Sequence, residues 1–213
     1  QPNFGRKIRT TGDDLYKCCR YRGFTLFTYM SDMLFWENGN SIVPMIYTDC
    51  EYCSDGVKIS EKTVYPFGGN IEFSIDSYKK MFLKLRLPDG YEIESLNING
   101  TNENYLLEAG YIIYELLPEE HYEIRLSLKP LVIIETGSIN GKKVGAVSCG
   151  QVLLALSGET TDTLIDFDDF QLSRAESDGA YAMFKCNAIK NGKNTEAVFT
   201  DYASADGYSV WFY

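Results

Sequence analysis

The chain has 213 residues, 45% of them apolar and 23% charged, enough to bury a sizeable core as one large or two small domains and too apolar for disorder. Its net charge of −10 is uneven, because residues 1–37 sum to +2 and the remainder to −12. An acidic body excludes a nucleic-acid partner, which needs clustered Lys and Arg. No apolar run approaches the ~20 residues of a membrane helix, so no membrane partner is expected.

The basic opening has no apolar h-region behind it, so no signal peptide is visible, and the chain begins on Gln1. A double cysteine, Cys18-Cys19, leads into an aromatic helical stretch over 20–36. That arrangement reads as the end of one domain running into another, and residue 1 is not expected to be a natural start. From Gly23 the apolar residues Phe24, Phe27, Met30 and Leu34 fall at three- and four-residue steps, and Asn38-Gly39 supplies a helix stop. The expected element is one amphipathic helix of about four turns.

Beyond Gly39 the period changes to two. Ile71, Phe73 and Ile75 alternate with Glu72 and Ser74, and Leu83, Leu85 and Leu87 alternate with Lys84 and Arg86, as half-buried strands require. Asn99-Gly100 marks a tight turn between antiparallel strands. Further strands are predicted over 41–47, 57–60, 111–116, 122–128, 132–135, 145–148, 152–156, 180–186, 196–200 and 208–212. The predicted fold class is all-β, a β-sandwich or jelly roll preceded by one helix. No repeat or low-complexity linker is present, and 138–143 is the best candidate for a subdivision of the β region.

His121 is the only histidine, which removes most Ser-His-Asp, Cys-His and His-rich metal arrangements. It stands in Glu119-Glu120-His121-Tyr122 and reads as a surface residue. Six cysteines are too sparse for a disulfide scaffold. Cys149 and Cys186 lie in strand-like apolar stretches as buried thiols. Cys18-Cys19 with Cys50 and Cys53 could form a four-thiolate structural zinc site, against which stands the awkward chelate of adjacent cysteines. The simpler reading makes Cys50 and Cys53 ordinary loop and strand residues. The acidic run around Asp162, Asp166, Asp168 and Asp169 reads as an exposed turn, since Phe167 and Phe170 interrupt any calcium loop.

Six blocks in order carry a resemblance: Cys18-Cys19 with its helix; Ser41-Ile-Val-Pro-Met-Ile-Tyr47; Lys62-Thr-Val-Tyr-Pro-Phe-Gly-Gly69; Phe82-Leu-Lys-Leu-Arg-Leu-Pro88; Leu96-Asn-Ile-Asn-Gly100; Ala109-Gly-Tyr-Ile112. They resemble the C-terminal portion of the β-L-arabinofuranosidase glycoside hydrolases of family 127. The segment from Lys142 to Gly150 resembles a later strand pair, with Cys149-Gly150-Gln151 where the family usually has Arg-Gly-Pro. A second departure is Arg20-Tyr21-Arg22-Gly23, where the family continues with small or polar residues.

The resemblance implies an (α/α)6 catalytic barrel followed by β-sandwich domains. Residues 1–39 would be a helical remnant of the barrel and 40–213 the C-terminal β region. It implies Cys18 as nucleophile and zinc ligand and Cys19 as a zinc ligand, with a glutamate, a further cysteine and the acid/base residue expected upstream of this chain. The implied partners are a carbohydrate substrate reached through the barrel and a second copy of the chain through the exposed helix face. Zinc is expected in the intact enzyme, and the isolated chain is expected to be inactive and without a cofactor. A non-catalytic carbohydrate-binding or domain-packing module is the alternative. Reduced thiols fit the bacterial cytoplasm and a zinc-held thiolate the periplasm, without deciding the compartment.

Overall fold

The computed structural model describes residues 29–139, 141–158, 163–165, 171–175, 181–201, 204–205 and 208–209. In chain order the first eleven strands are β1 (Phe35–Asn38), β2 (Ser41–Pro44), β3 (Cys50–Cys53), β4 (Val57–Thr63), β5 (Asn70–Ser77), β6 (Met81–Arg86), β7 (Tyr91–Ile98), β8 (Thr101–Asn102), β9 (Leu107–Glu108), β10 (Tyr111–Leu116) and β11 (Glu120–Pro130). They are followed by β12 (Val132–Ile139), β13 (Lys142–Cys149), β14 (Val152–Ser157), β15 (Thr163–Leu164), β16 (Ser173–Ala175), β17 (Met183–Lys190), β18 (Lys193–Asp201) and β19 (Tyr208–Ser209).

The first eleven strands build a five-stranded sheet, ordered β1-β2-β6-β10-β9, and a six-stranded sheet, ordered β3-β4-β5-β11-β7-β8. Period-two alternation makes each sheet apolar on one face, and those faces meet. Phe35, Ile42, Met81, Leu83, Leu85 and Ile112 from the first sheet share one buried cluster with Ile59, Ile71, Phe73, Ile75, Ile124 and Leu126 from the second. This is the expected β-sandwich. The predicted alternations at Ile71-Phe73-Ile75 and Leu83-Leu85 point inward as read. Strands β12 to β19 form an eight-stranded sheet with a separate core of Val147, Leu154, Leu156, Phe184 and Phe199 among others.

Asn99-Gly100 closes the β7–β8 hairpin with both residues at positive φ, 51° and 84°, the geometry of a two-residue type I′ turn. Ala109-Gly110 and Asn191-Gly192 do the same for β9–β10 and β17–β18.

The expected helix through Leu34 and Trp36 is not supported. Phe24 and Phe27 lie outside the described residues, but Ser31–Met33 is a single 3-10 turn and Phe35–Asn38 is already strand. The reason is tertiary. Phe35 is buried and stacks on Tyr52 with ring centroids 4.8 Å apart, while Trp36 on the other face stays half exposed. Gly39, read as a helix stop, instead holds φ 61° at the first position of the β1–β2 hairpin loop.

The stretch 138–143 lies within the β12–β13 hairpin, where Ser138 pairs with Lys143. The chain passes from one core to the other between Pro130 and Val132. There the Leu131 N–H donates to the Gly90 carbonyl at 2.8 Å, and the Gly150 N–H donates to the Leu131 carbonyl at 2.9 Å. Gly90 and Gly150 meet backbone to backbone, since a Cβ on Gly90 would sit 2.6 Å from the Gly150 carbonyl oxygen.

Candidate functional site

Cys18 and Cys19, the residues expected to carry the chemistry, lie outside the described residues. The other cysteines can be placed. Strand alternation turns Cys50 half inward and leaves Cys53 exposed, so a pair three residues apart on β3 faces opposite ways and does not make a zinc half-site. Burial pushes the thiols of Cys50 and Cys186 up to about 11 and raises that of Cys149. A thiol held that high is protonated at neutral pH and is neither a nucleophile nor a ready metal ligand. Among the described residues no group of three or more His, Cys, Asp and Glu could hold a metal ion.

His121 is exposed on β11, as read. Its Nδ1 lies 2.7 Å from Asp76 Oδ1 and its Nε2 2.9 Å from Glu123 Oε1. Hydrogen bonds to these carboxylates raise its pKa, and the ring bridges two strands. Ser74 Oγ donates to the same Glu123 oxygen at 2.9 Å, and the whole cluster lies open on the sheet surface.

Glu61 is the buried carboxyl that the sequence reading passed over. It is 1% exposed on the core face of β4, and burial raises its pKa to about 8. Its Oε1 accepts the Thr48 N–H at 3.0 Å, and Cys50 Sγ lies 4.0 Å from its Oε2. A raised carboxyl pKa marks many catalytic acids. Here the group is sealed in the sandwich, and its visible work is to pin the β2–β3 link, together with Asp49, whose Oδ1 accepts the Thr63 N–H.

The Tyr-Pro-Phe-Gly-Gly segment sits at the joint between the two cores. The Tyr65 ring lies tilted against Tyr91 with centroids 5.4 Å apart and its hydroxyl donates to Gln151 Oε1, while the Tyr91 and Tyr181 hydroxyls are 2.9 Å apart. Burial raises all three phenol pKa values, so these groups hydrogen-bond as neutral phenols and offer no base. The cluster joins the two halves.

One concavity does present a solvent-facing mixture of groups. On the outer face of the five-stranded sheet, Trp36, Val43, Met45, Lys84, Glu108, Ala109, Tyr111 and Ile113 line a groove of about 550 Å³. The register explains the assembly. Trp36 pairs with Val43, Lys84 with Ile113, and Tyr111 with Glu108, and paired residues share a face. Leu83, Leu85 and Ile112 point to the opposite side. These residues come from five strands and the turns beside them, spread over the 78 positions from Trp36 to Ile113, which sequence periodicity alone does not bring together.

Solved structures share this architecture. A GH127 β-L-arabinofuranosidase from Geobacillus stearothermophilus T6 matches over 92% of this chain and 37% of its own, with a TM-score of 0.69 and 16% identity. The fold is that of the C-terminal portion of a GH127 glycoside hydrolase. A second GH127 β-arabinofuranosidase covers 84% of this GH127-like chain and 36% of itself, at a TM-score of 0.60 and 14% identity. A further structure described as a glycoside hydrolase covers 100% and 42%, at 0.65 and 14%. The GH127-like chain therefore spans well under half the length of these three proteins. No family model matches the sequence, and no curated protein matches it.

Proposed function

We propose that this chain is the C-terminal β-sandwich part, with the double-cysteine segment before it, of a zinc-thiolate glycoside hydrolase acting on arabinofuranoside-type glycans of plant origin. The observation that supports this most is the fold likeness over 92% of the chain to a GH127 β-L-arabinofuranosidase. Cys18 is the nucleophile in this reading, and Cys18 with Cys19 would hold zinc. Two thiols suit that ion, and the four described cysteines are placed or protonated in ways that do not compete. Bound zinc would keep a thiol in its thiolate form at neutral pH.

The Cys18 sulfur would form a bond to the anomeric carbon, and a carboxylic acid would protonate the departing sugar oxygen, as in other retaining glycosidases. Glu61 does not fill the acid role, because it is buried against the Thr48 backbone. In this reading the acid comes from elsewhere in the protein, and the 213-residue chain does not turn over substrate alone. A second copy docking through the segment before the first strand belongs to the same proposal.

The test is release of nitrophenol from an aryl β-L-arabinofuranoside. The full gene product containing these residues is expected to be active, its Cys18→Ser form to lose at least about 10³-fold, and the 213-residue chain to be inactive. Activity that survives Cys18→Ser, or that the short chain shows alone, overturns the proposal. A non-catalytic glycan-binding module is the second reading, favoured by the groove at Trp36.

A further inference from the structure

The groove on the outer face of the five-stranded sheet is lined by none of the residues assigned to the proposed Cys18 chemistry. Its volume of about 550 Å³ lies within the range of small-molecule sites, and its lining has their character, with an apolar and aromatic floor and few polar groups. Trp36 is 50% exposed and flanked by Val43 and Met45, an unusual outlay of indole surface for a strand residue. Lys84 and Glu108 both line the groove. Neither makes an ion pair with another described residue, although other surface lysines do, such as Lys80 with Glu115 and Lys129 with Glu92. One step along β6, Arg86 Nε is buried with no hydrogen-bond partner among the described residues.

These groups discriminate between occupants. A purely apolar helix would strip water from Lys84 and Glu108 and return nothing to them, which is costly. An anion would face Glu108, and a cation would face Lys84. A neutral sugar has an apolar ring face that stacks on indole, and each hydroxyl both donates and accepts, so one ligand satisfies both charges. We propose that this groove binds a short neutral oligosaccharide, stacked on Trp36 and bridged by its hydroxyls between Lys84 and Glu108.

None of the groove residues has a part in the proposed hydrolysis, so a Cys18→Ser chain is expected to bind as the wild type does. This separates failure of the groove from failure of the proposed hydrolase. The experiment is titration calorimetry of the 213-residue chain with arabinotriose, xylotriose and trigalacturonate. At least one neutral trisaccharide is expected to saturate the chain with a dissociation constant near or below about 1 mM. Trp36→Ala is expected to weaken binding about tenfold or more, Trp36→Phe less, and Phe67→Ala, at an exposed aromatic outside the groove, not at all. Thermal midpoints confirm that the variants fold. Three results would overturn the proposal: no saturation by either neutral sugar, unchanged binding in a folded Trp36→Ala chain, or tighter binding of trigalacturonate than of both neutral trimers. Concentration-dependent self-association that Trp36→Ala abolishes, without sugar binding, would also overturn it and assign the face to a second copy of the chain.

Discussion

Glu61 shows how a single carboxyl sets a pH dependence for the sandwich. Its folded pKa of about 8 is raised by burial above the ordinary 4.5, so the folded state holds a proton that the unfolded state has released. The associated stability is fully present below pH 4.5 and is lost as pH rises through about 8. The slope has an upper limit of about 1.4 kcal/mol per pH unit. Glu61→Gln mimics the neutral acid and keeps an acceptor for Thr48. It is expected to match the wild type near pH 4.5 and to exceed it by at least about 1–2 kcal/mol at pH 8, read by urea titrations across that range. A stability difference that does not change with pH would sink the assignment. The predicted strand over 57–60 stops one residue short of Glu61, although counting by twos from Val57 and Ile59 places it on the core face. Cys18-Cys19 stood out in the sequence, but the nucleophile role of Cys18 came only through resemblance, because adjacent thiols have no distinctive spacing of their own.

At the scale of elements, glycines separate two kinds of constraint. Gly100 has open space around its missing Cβ and a φ of 84°, so Gly100→Ala meets only backbone strain of about 1–2 kcal/mol. Gly69 has the opposite problem. A Cβ there would lie 1.6 Å from the Leu128 carbonyl oxygen, at the point where β11 shifts register against β7 between Ser127 and Leu128. Gly69→Ala must displace a main chain in the core sheet and is expected to cost about 3 kcal/mol or more. Denaturant midpoints of the two variants check the order, and a milder Gly69→Ala would contradict it. The Asn99-Gly100 turn was legible because both requirements, positive φ and two-residue length, are written in the dipeptide. Strand β1 was not. Met30 and Leu34 fit a helical period, and what decides the conformation of Phe35 is its packing on Tyr52, which belongs to a different sheet. Alternation announced β5 and β6 because both faces of each strand have distinct environments.

For the molecule as a whole, the joint at Gly90, Leu131 and Gly150 is the feature to test. A Cβ on Gly150 would meet the Tyr91 ring at 2.5 Å, and its φ of 56° adds strain. Gly150→Ala is expected to cost about 2–5 kcal/mol, concentrated at the joint, so that calorimetry resolves an earlier transition for the eight-stranded sheet while the two-sheet sandwich melts near its original midpoint. A single shifted transition would mean that the two cores unfold as one unit. Sequence reading placed the best internal break within 138–143, a polar, glycine-containing stretch of the kind that separates units. The change from one core to the other falls beside Pro130, inside a nearly continuous strand, where composition gives no sign. The main-chain part of the joint has a further consequence. Where two surfaces meet through glycine backbones, that part of the contact carries no record of side-chain identity, so residues away from Tyr65, Tyr91, Gln151 and Tyr181 can be exchanged without turning one half against the other. Such a joint lets sequences drift far apart while the angle between their halves stays put.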